Sequence, residues 1–225
     1  MDIYYVRMSI LKAIDSSKHY FSARLLDAGC GAMPYRQYIL ENTKVTDYTG
    51  LDIESALVYD NEVVPDFTWD GNVMPFEDSS FDTVIATEVL EHCPVPSQFL
   101  IEVQRVLAHR GYLFITVPFL WNLHEVPHDE YRYTPFSLKR LLEEAGLEVI
   151  QITGLGGWHA SMAQMLGLWV RRAPLPFIKF SRGPLSYFIL PIYKLLLYLD
   201  KRQKLHNSEG QIHTGYYCVA KKPHE

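Results

Sequence analysis

The stretch Arg24-Leu-Leu-Asp-Ala-Gly-Cys-Gly31 constrains the fold more than any other part of the chain. A short apolar run passes directly into glycines, and Pro34 follows, a residue well suited to open a helix through residues 35–40. Glycines at such a point let the backbone approach a ligand, and the first N–H groups of the next helix are free to bind it. The segment predicts a strand, a turn and a helix that form a nucleotide-type binding site.

The same alternation continues through the first 150 residues. Thr134 and Pro135 supply an N-cap and a first helical residue, and Gly146 supplies a stop, so a helix is predicted over residues 135–145. Strands separated by helices favour a parallel sheet with helices on both faces, that is, a doubly wound α/β fold. The other predicted helices cover residues 3–14 and 97–108, and the other predicted strands cover residues 48–53, 66–69, 81–87, 111–117, 147–153 and 215–221.

Residues 154–207 differ in composition from the rest of the chain. They carry eight Lys and Arg residues against a single acid, Asp200, although the whole chain has a net charge of −5. Their apolar run, 184–199, is short for a transmembrane span and is interrupted by Pro191 and Lys194. We therefore expect one domain over residues 1–225, in which 154–207 is a helical insertion before the last strand. A lid, a homodimer interface and a peripheral membrane contact stay open for it.

Charge and cysteine content exclude several classes of protein. The net charge of −5 gives no general attraction to nucleic acid, so no nucleic-acid partner is expected. The three cysteines lack CxxC spacing, which argues against a disulfide framework or a zinc knuckle. The first residues lack the order of a signal peptide, so a cytoplasmic location is expected, with membrane association left open.

An acidic residue stands where a nucleotide ribose would need one. Asp52 ends the second predicted strand, 21 residues after Gly31, and a carboxylate there can accept hydrogen bonds from both ribose hydroxyls. The dinucleotide fingerprint G-x-G-x-x-G would need a small residue at position 34, which is Pro34. A nicotinamide dehydrogenase is therefore disfavoured.

Four successive segments resemble the motifs of class I S-adenosylmethionine-dependent methyltransferases, of the type 11-like group. They are Leu-Leu-Asp-Ala-Gly-Cys-Gly, Leu-Asp-Ile-Glu, Trp69-Asp-Gly-Asn-Val-Met-Pro-Phe-Glu-Asp-Ser-Ser-Phe-Asp-Thr-Val84 and Thr87-Glu-Val-Leu-Glu-His92, and the likeness runs over residues 24–150. It implies a Rossmann-like, mostly parallel, seven-stranded sheet. It also implies an enzyme that uses S-adenosyl-L-methionine and releases S-adenosyl-L-homocysteine.

The resemblance assigns roles residue by residue. The methionine end of the cofactor is assigned to Asp27, Gly29 and Gly31, with the backbone of Cys30 beside them. Asp52 is assigned to the ribose and Ile53 to one face of the adenine ring. Asp70 and the Gly71 backbone are assigned to the adenine amino group, and Thr87 and Glu88 to the sulfonium and the substrate. One departure from the family pattern is Met33, where many members have a third glycine.

The segment 124–133 follows the fifth predicted strand and is dense in titratable side chains. His124-Glu-Val-Pro-His128 matches the zinc-protease pattern H-E-x-x-H, but Pro127 would interrupt the helix which that pattern needs, so no metal site is expected. Methyl transfer to a hydroxyl needs a general base, and His124, His128 and His92 are the candidates. A solvated loop with an Asp129–Arg132 ion pair is the alternative.

The acceptor is the least determined part of this interpretation. The segment 124–135 resembles a subgroup of methyltransferases associated with glycan or cell-envelope pathways. The expected acceptor is a small molecule, a sugar or glycan, or a lipid-linked molecule, with oxygen as the acceptor atom. A catalytically inactive S-adenosylmethionine-binding subunit or scaffold stays the alternative function, because no single residue here is diagnostic of catalysis.

Overall fold

The computed structural model describes residues 2–54, 64–173, 182–201 and 210–224. Seven strands form one sheet in the order β3-β2-β1-β4-β5-β7-β6, parallel except for β7, which runs antiparallel to both neighbours. The strands are β1 (Ser22–Ala28), β2 (Lys44–Ile53), β3 (Phe67–Trp69), β4 (Phe81–Thr87), β5 (Leu107–Pro118), β6 (Glu148–Leu155) and β7 (Gly215–Lys221). The helices are α1 (Asp2–Ser17), α2 (Arg36–Asn42), α3 (Pro96–Val106), α4 (Pro135–Glu144), α5 (Trp158–Arg172) and α6 (Arg182–Asp200). The expected doubly wound, mostly parallel, seven-stranded sheet is confirmed.

The sheet has a hydrophobic core on each face. Successive strand residues point to opposite faces, so Leu26 and Val84 belong to one core while Leu25 and Ile85 belong to the other. All four side chains are fully buried, which explains why β1 and β4 read as continuous apolar runs. The strand order reverses between β1 and β4, and in open α/β sheets ligands bind beside the carboxyl ends of strands at that point.

Several predicted boundaries are wrong by two to four residues, among them the start of the fifth strand, which is Leu107 and not position 111. The helix expected over 97–108 ends at Val106, because Leu107 already pairs with Phe81 as the first residue of β5. The second strand begins at Lys44 rather than at position 48, because its first residues pair with the start of β1. Strand pairing overrides the local pattern in both places.

The segment 154–207 contributes β6 residues and two helices to the described part of the chain. Gly154 and Leu155 still belong to β6, and α5 and α6 follow and pack against each other. The Asp200 carboxylate accepts hydrogen bonds from the backbone N–H groups of Gly157 (3.0 Å) and Ala160 (2.9 Å), so the end of α6 caps the start of α5. Among the described residues, no helix is both long and apolar enough to cross a membrane. Residues 174–181 and 202–207 of the predicted insertion lie outside the described residues.

Candidate functional site

The glycine turn after β1 is held by backbone hydrogen bonds to β2. The N–H groups of Gly29 and Cys30 both donate to the Leu51 carbonyl, at 2.8 and 3.0 Å. Gly29 has a φ of +82°, and a Cβ atom there would lie 2.4 Å from a methyl group of Val89. Only glycine fits this position, because Val89 packs directly against the turn.

Met33 takes the backbone conformation that a glycine would take. Its φ is +49°, and its N–H donates to the Cys30 carbonyl at 2.8 Å, which closes one more turn. Helix α2 consequently begins at Arg36, later than the helix predicted from Pro34. The Cys30 side chain is buried and its burial raises the pKa of the thiol, so the side chain packs as a neutral group.

The Asp52 carboxylate is oriented by two backbone groups. Gly31 N–H donates to Oδ2 at 2.9 Å, and Ile53 N–H donates to Oδ1 at 2.8 Å. Burial raises the pKa of this carboxyl, partly offset by these two hydrogen bonds. Each oxygen keeps acceptor capacity, so the carboxylate is preset to receive two hydroxyl groups.

Asp27 is the buried acid at the end of β1. Tyr48 donates its hydroxyl hydrogen to Oδ2, while Oδ1 is buried without a hydrogen-bond partner in the described part of the chain. Burial raises the pKa of Asp27 to about 7. An unpaired buried acceptor beside the glycine turn fits a ligand that brings its own donors, such as the ammonium group of S-adenosylmethionine.

Ile53, Asp70 and Gly71 lie together at the ends of β2 and β3. Ile53 pairs with Trp69, and its Cδ1 lies 3.4 Å from where a Cβ of Gly71 would stand. Ile53 is 39% exposed, so an apolar face is open to a ligand ring. The backbone and side-chain amides of Asn72 bind the Asp70 carboxylate at 2.9 and 3.0 Å, which lowers the pKa of Asp70.

Thr87 is the last residue of β4, and Glu88 follows with a φ of +57°. The Glu88 N–H donates to the carbonyl and to the hydroxyl oxygen of Thr116, both at 3.1 Å. The Thr116 hydroxyl in turn donates to Glu88 Oε1 at 2.8 Å. Burial raises the pKa of Glu88 to about 7, so its carboxyl can hold a proton near neutral pH. Glu88 also lines a small cavity with Trp121 and Gln164.

The loop 119–134 lies over the short 3₁₀ turn Leu90–His92 that follows Glu88. The N–H groups of Glu130 and Tyr131 donate to the Glu91 carbonyl at 2.9 and 3.2 Å. The Tyr133 hydroxyl donates to the Leu90 carbonyl at 3.1 Å. These bonds bring the histidines of two distant segments together.

The rings of His92 and His124 meet edge to face, with their centroids 4.7 Å apart. His92 Nδ1 lies 2.9 Å from the His128 carbonyl oxygen, and His124 Nδ1 lies 3.1 Å from Asp129 Oδ2. A carbonyl and an ionised carboxylate only accept, so Nδ1 carries the hydrogen in both rings, and the lone pair of the neutral ring is on Nε2. Burial lowers the pKa of His124. The His128 side chain is exposed, so His128 reaches this group through its backbone.

Asp129 and Arg132 form the ion pair that the sequence predicted only for the alternative, a solvated loop. Arg132 donates from its two Nη atoms to the two Asp129 oxygens at 2.6 and 2.7 Å, and the Asp129 side chain is only 1% exposed. Hydrogen bonds from Arg132 hold the pKa of Asp129 well below its ordinary range. The pair is therefore not a solvated surface contact, and it fixes the orientation of His124.

Glu91 is a site residue that sequence reasoning missed. Its side chain is fully buried, and both carboxylate oxygens lack a hydrogen-bond partner among the described residues. Burial raises its pKa well above the ordinary range, and Glu88 raises it further. Glu91 Oε1 lies 3.8 Å from His92 Nε2. The available signal was an acid inside the apolar run Val89-Leu-Glu-His92, and nothing in that pattern distinguishes a buried glutamate from an exposed one.

Residues 26–115 match a sequence-family model described as a methyltransferase domain. The phosphoethanolamine N-methyltransferase 2 of Haemonchus contortus, solved in complex with S-adenosyl-L-methionine, superposes with a TM-score of 0.58 at 15% identity, over 97% of this chain and 53% of that chain. This likeness shows a shared fold. The chain carries a class I S-adenosylmethionine-dependent methyltransferase domain.

Curated relatives of the methyltransferase domain include two mycobacterial enzymes. Phthiotriol/phenolphthiotriol dimycocerosates methyltransferase 1 of Mycobacterium ulcerans is 38% identical over 100 residues, which are 41% of this chain and 36% of the relative. A fatty-acid O-methyltransferase of Mycolicibacterium smegmatis is 33% identical over 99 residues, with the same two coverages. The match thus spans about a third of the length of these relatives.

The residues predicted for the cofactor are brought together by the methyltransferase domain. They lie at the carboxyl ends of four neighbouring strands, as Asp27, Gly29, Cys30 and Gly31 after β1, Asp52 and Ile53 at β2, Asp70 and Gly71 after β3, and Thr87 and Glu88 at β4. Of the predicted bases, His92 and His124 are in contact.

Proposed function

We propose that this chain transfers the methyl group of S-adenosylmethionine to an oxygen atom of a lipid or lipid-linked acceptor. The observation that carries the proposal is the oriented His124 ring, which contacts His92 in the turn that follows β4. A hydroxyl acceptor must lose its proton, and a partly buried, neutral imidazole held by a carboxylate is suited to take it. Relatives named as methyltransferases of phthiotriol dimycocerosates and of fatty acids support a lipid acceptor.

The residues at the strand ends fit S-adenosylmethionine. The cofactor supplies an already activated methyl group, whose leaving group is a neutral thioether. In this proposal the unpaired Asp27 Oδ1 receives the ammonium group and Asp52 receives the two ribose hydroxyls. Ile53 packs on the adenine ring, while Asp70 and the Gly71 backbone bind its amino group.

Catalysis in this proposal depends chiefly on positioning, because the methyl group needs no oxyanion hole. Holding the acceptor oxygen in line with the methyl carbon at roughly 3 Å supplies several kcal/mol. His124 Nε2 accepts the acceptor proton, while Asp129 and Arg132 keep its ring in place. His92 is the neighbouring candidate for this role, and the His128 carbonyl orients it.

The helices of the insertion carry apolar side chains that face outward. On α5, Trp158, Met162, Met165 and Trp169 are each about half exposed and recur at steps of three and four, which places them on one stripe. Exposed apolar side chains also lie along α6, namely Tyr187, Phe188, Ile192 and Leu195. Arg171 and Lys194 are exposed on these helices, and Lys201, directly after α6, is exposed as well. We propose that this single domain uses the insertion to meet an anionic lipid surface, since basic and apolar side chains together suit one.

Turnover with labelled S-adenosylmethionine, offered with fatty acids and lipid-linked sugars, tests the reaction. His124→Asn is expected to lower turnover roughly 100-fold while the cofactor affinity stays unchanged. The exposed His109, at the start of β5, provides the control variant His109→Asn, which should keep full turnover. Normal cofactor binding without methylation of any acceptor would instead favour the inactive S-adenosylmethionine-binding subunit.

Sedimentation with vesicles that contain anionic lipid tests the membrane contact. Binding is expected at low salt and should weaken as salt rises, because the basic residues act through screened charges. Tyr187→Ser combined with Phe188→Ser removes two side chains that are 76% and 73% exposed, and should weaken binding without unfolding the protein. The contrary outcome has two parts: the unaltered protein does not bind vesicles at low salt, and it forms a dimer in light scattering that the double variant does not form. The apolar surface would then bind a second copy of the chain and not a membrane.

A further inference from the structure

Glu91, His92 and His124 place three metal-ligand atoms close together. One ligand atom from each residue lies within 4.8 Å of the other two. Ligands bound about 2.1 Å from a metal ion lie roughly 3.0 to 3.5 Å apart at tetrahedral or octahedral angles. Side-chain shifts of about 1 Å would therefore close this group around an ion.

Glu91 gives an independent reason to expect a ligand there. Both of its oxygens are buried and lack a hydrogen-bond partner in the described part of the chain. A buried carboxylate is costly unless a counter-charge or a donor satisfies it. His92 Nε2 lies 3.8 Å from Glu91 Oε1 and 3.8 Å from Glu125 Oε2, both beyond hydrogen-bond distance. A cation between His92 Nε2 and Glu91 Oε1 would be bound by the lone pair of the neutral imidazole and by the carboxylate.

The two imidazoles already have the outer contacts that metal-binding histidines have. Such histidines almost always donate their other ring N–H to a carboxylate or a backbone carbonyl. His124 Nδ1 faces Asp129 Oδ2, and His92 Nδ1 faces the His128 carbonyl, so both kinds occur here. Arg132 holds Asp129 with two hydrogen bonds, which fixes the outer contact in turn.

We infer that Glu91, His92 and His124 bind one divalent transition-metal ion of the zinc type, with a further coordination position open. Two imidazoles and one carboxylate suit zinc, cobalt or ferrous iron and do not suit magnesium, which prefers oxygen ligands. This site differs from the H-E-x-x-H pattern, since residues 125–127 form a turn and His128 points outward. The two arrangements share only His124.

The metal would have a definite part in the reaction. An ion held by Glu91, His92 and His124 would bind the acceptor hydroxyl and lower its pKa, and the proton would leave to solvent. This part of the inference rests on the proposed methyl transfer to oxygen, whereas metal binding itself does not. The ion would also occupy the lone pair of His124 Nε2, so with metal bound it would replace His124 as the group that activates the acceptor.

Metal binding is tested on the full, tag-free chain after chelator treatment. Zn²⁺ is titrated by calorimetry and Co²⁺ by its visible absorption, without cofactor or acceptor, so that failure of methyl transfer does not affect the result. One ion per chain is expected. Glu91→Gln and His124→Asn should each lower the affinity by more than 100-fold, and Asp129→Asn by about 10- to 100-fold. His128→Asn, which keeps the backbone carbonyl, should bind as the unaltered protein does.

Circular dichroism and S-adenosylmethionine affinity show which variants are folded. If Glu91→Gln does not fold, His124→Asn, whose side chain is partly exposed, decides the question. Absence of saturable one-to-one binding of either ion would overturn the inference. Equal affinity in the unaltered protein and in a folded His124→Asn or Glu91→Gln variant would overturn it as well.

Discussion

The cofactor side and the acceptor side of the site are built by different means. On the cofactor side, backbone N–H groups of Gly31 and Ile53 orient Asp52, and a glycine turn determines the shape. On the acceptor side, side chains orient one another, as Arg132 holds Asp129 and Asp129 holds His124. The first side should therefore respond most to an added Cβ atom, and the second to a removed charge.

The largest effect is expected from Gly29→Ala. The alanine would have to adopt a φ of +82° and place its Cβ 2.4 Å from a Val89 methyl group. We expect the free energy of unfolding to fall by about 2 to 5 kcal/mol and the cofactor affinity by more than 100-fold. Denaturant unfolding and calorimetry measure the two effects.

A second glycine provides the control for this substitution. A Cβ at Gly183, near the start of α6, would meet no atom within 4 Å, so Gly183→Ala should change stability by no more than about 1 kcal/mol. Equal behaviour of the two alanine variants would show that the glycine turn does not determine the cofactor side.

Asp129→Asn tests the acceptor side through its pH dependence. The substitution removes the charge that holds His124, so turnover should fall roughly 100-fold while cofactor affinity is kept. Burial lowers the pKa of His124, and the Asp129 charge opposes that effect. The acid limb of kcat/KM should therefore lie below pH ~6.5 and move further down in the variant. An upward move, or an unchanged rate, would contradict the assignment of the base.

Asp52→Ala sharpens the comparison on the cofactor side. Loss of hydrogen bonds to a charged group should weaken S-adenosylmethionine binding by about 1.5 to 3 kcal/mol, which is roughly 10- to 150-fold. Asp47→Ala replaces an exposed acid on the same strand and should leave the affinity unchanged. Calorimetric titration of both variants decides between a specific contact and a general effect of charge.

Thr134→Ala should have the smallest effect. Thr134 caps α4 through a hydrogen bond from Ser137 N–H at 3.2 Å, within a complete capping box. Its loss should cost about 1 kcal/mol of unfolding free energy, measured by denaturant unfolding, with turnover nearly unchanged. Thr134→Ser keeps the accepting oxygen and should restore stability. A larger effect on turnover than on stability would mean that α4 takes part in the acceptor side.

The cofactor side was predictable because its residues are neighbours in the sequence. The run from Asp27 to Gly31 and the position of Asp52 indicated the turn and its partner acid before any contact was known. The exact ends of helices and strands could not be predicted from the sequence. Leu107 reads as the last turn of a helix, and only its pairing with Phe81 makes it a strand residue.

The acceptor side was predictable only in part. The density of titratable groups after β5 indicated a functional loop, whereas the Asp129–Arg132 pair was expected only in the alternative, a solvated loop. The contact between His92 and His124 joins residues 32 positions apart, and no local pattern encodes it. Glu91 escaped notice because its burial results from packing of the loop 119–134 over the 3₁₀ turn.

The hydrogen bonds from Glu130, Tyr131 and Tyr133 to the 3₁₀ turn have a consequence for engineering. The loop after β5 and the turn after β4 behave as one module, although 26 residues separate His92 from Pro118, the last residue of β5. A graft of residues 119–134 from a relative would keep these bonds only where its donors meet the carbonyls of Leu90 and Glu91, so residues 88–93 of the same relative should come with it. Acceptor preference in this fold should therefore be exchanged as two segments together.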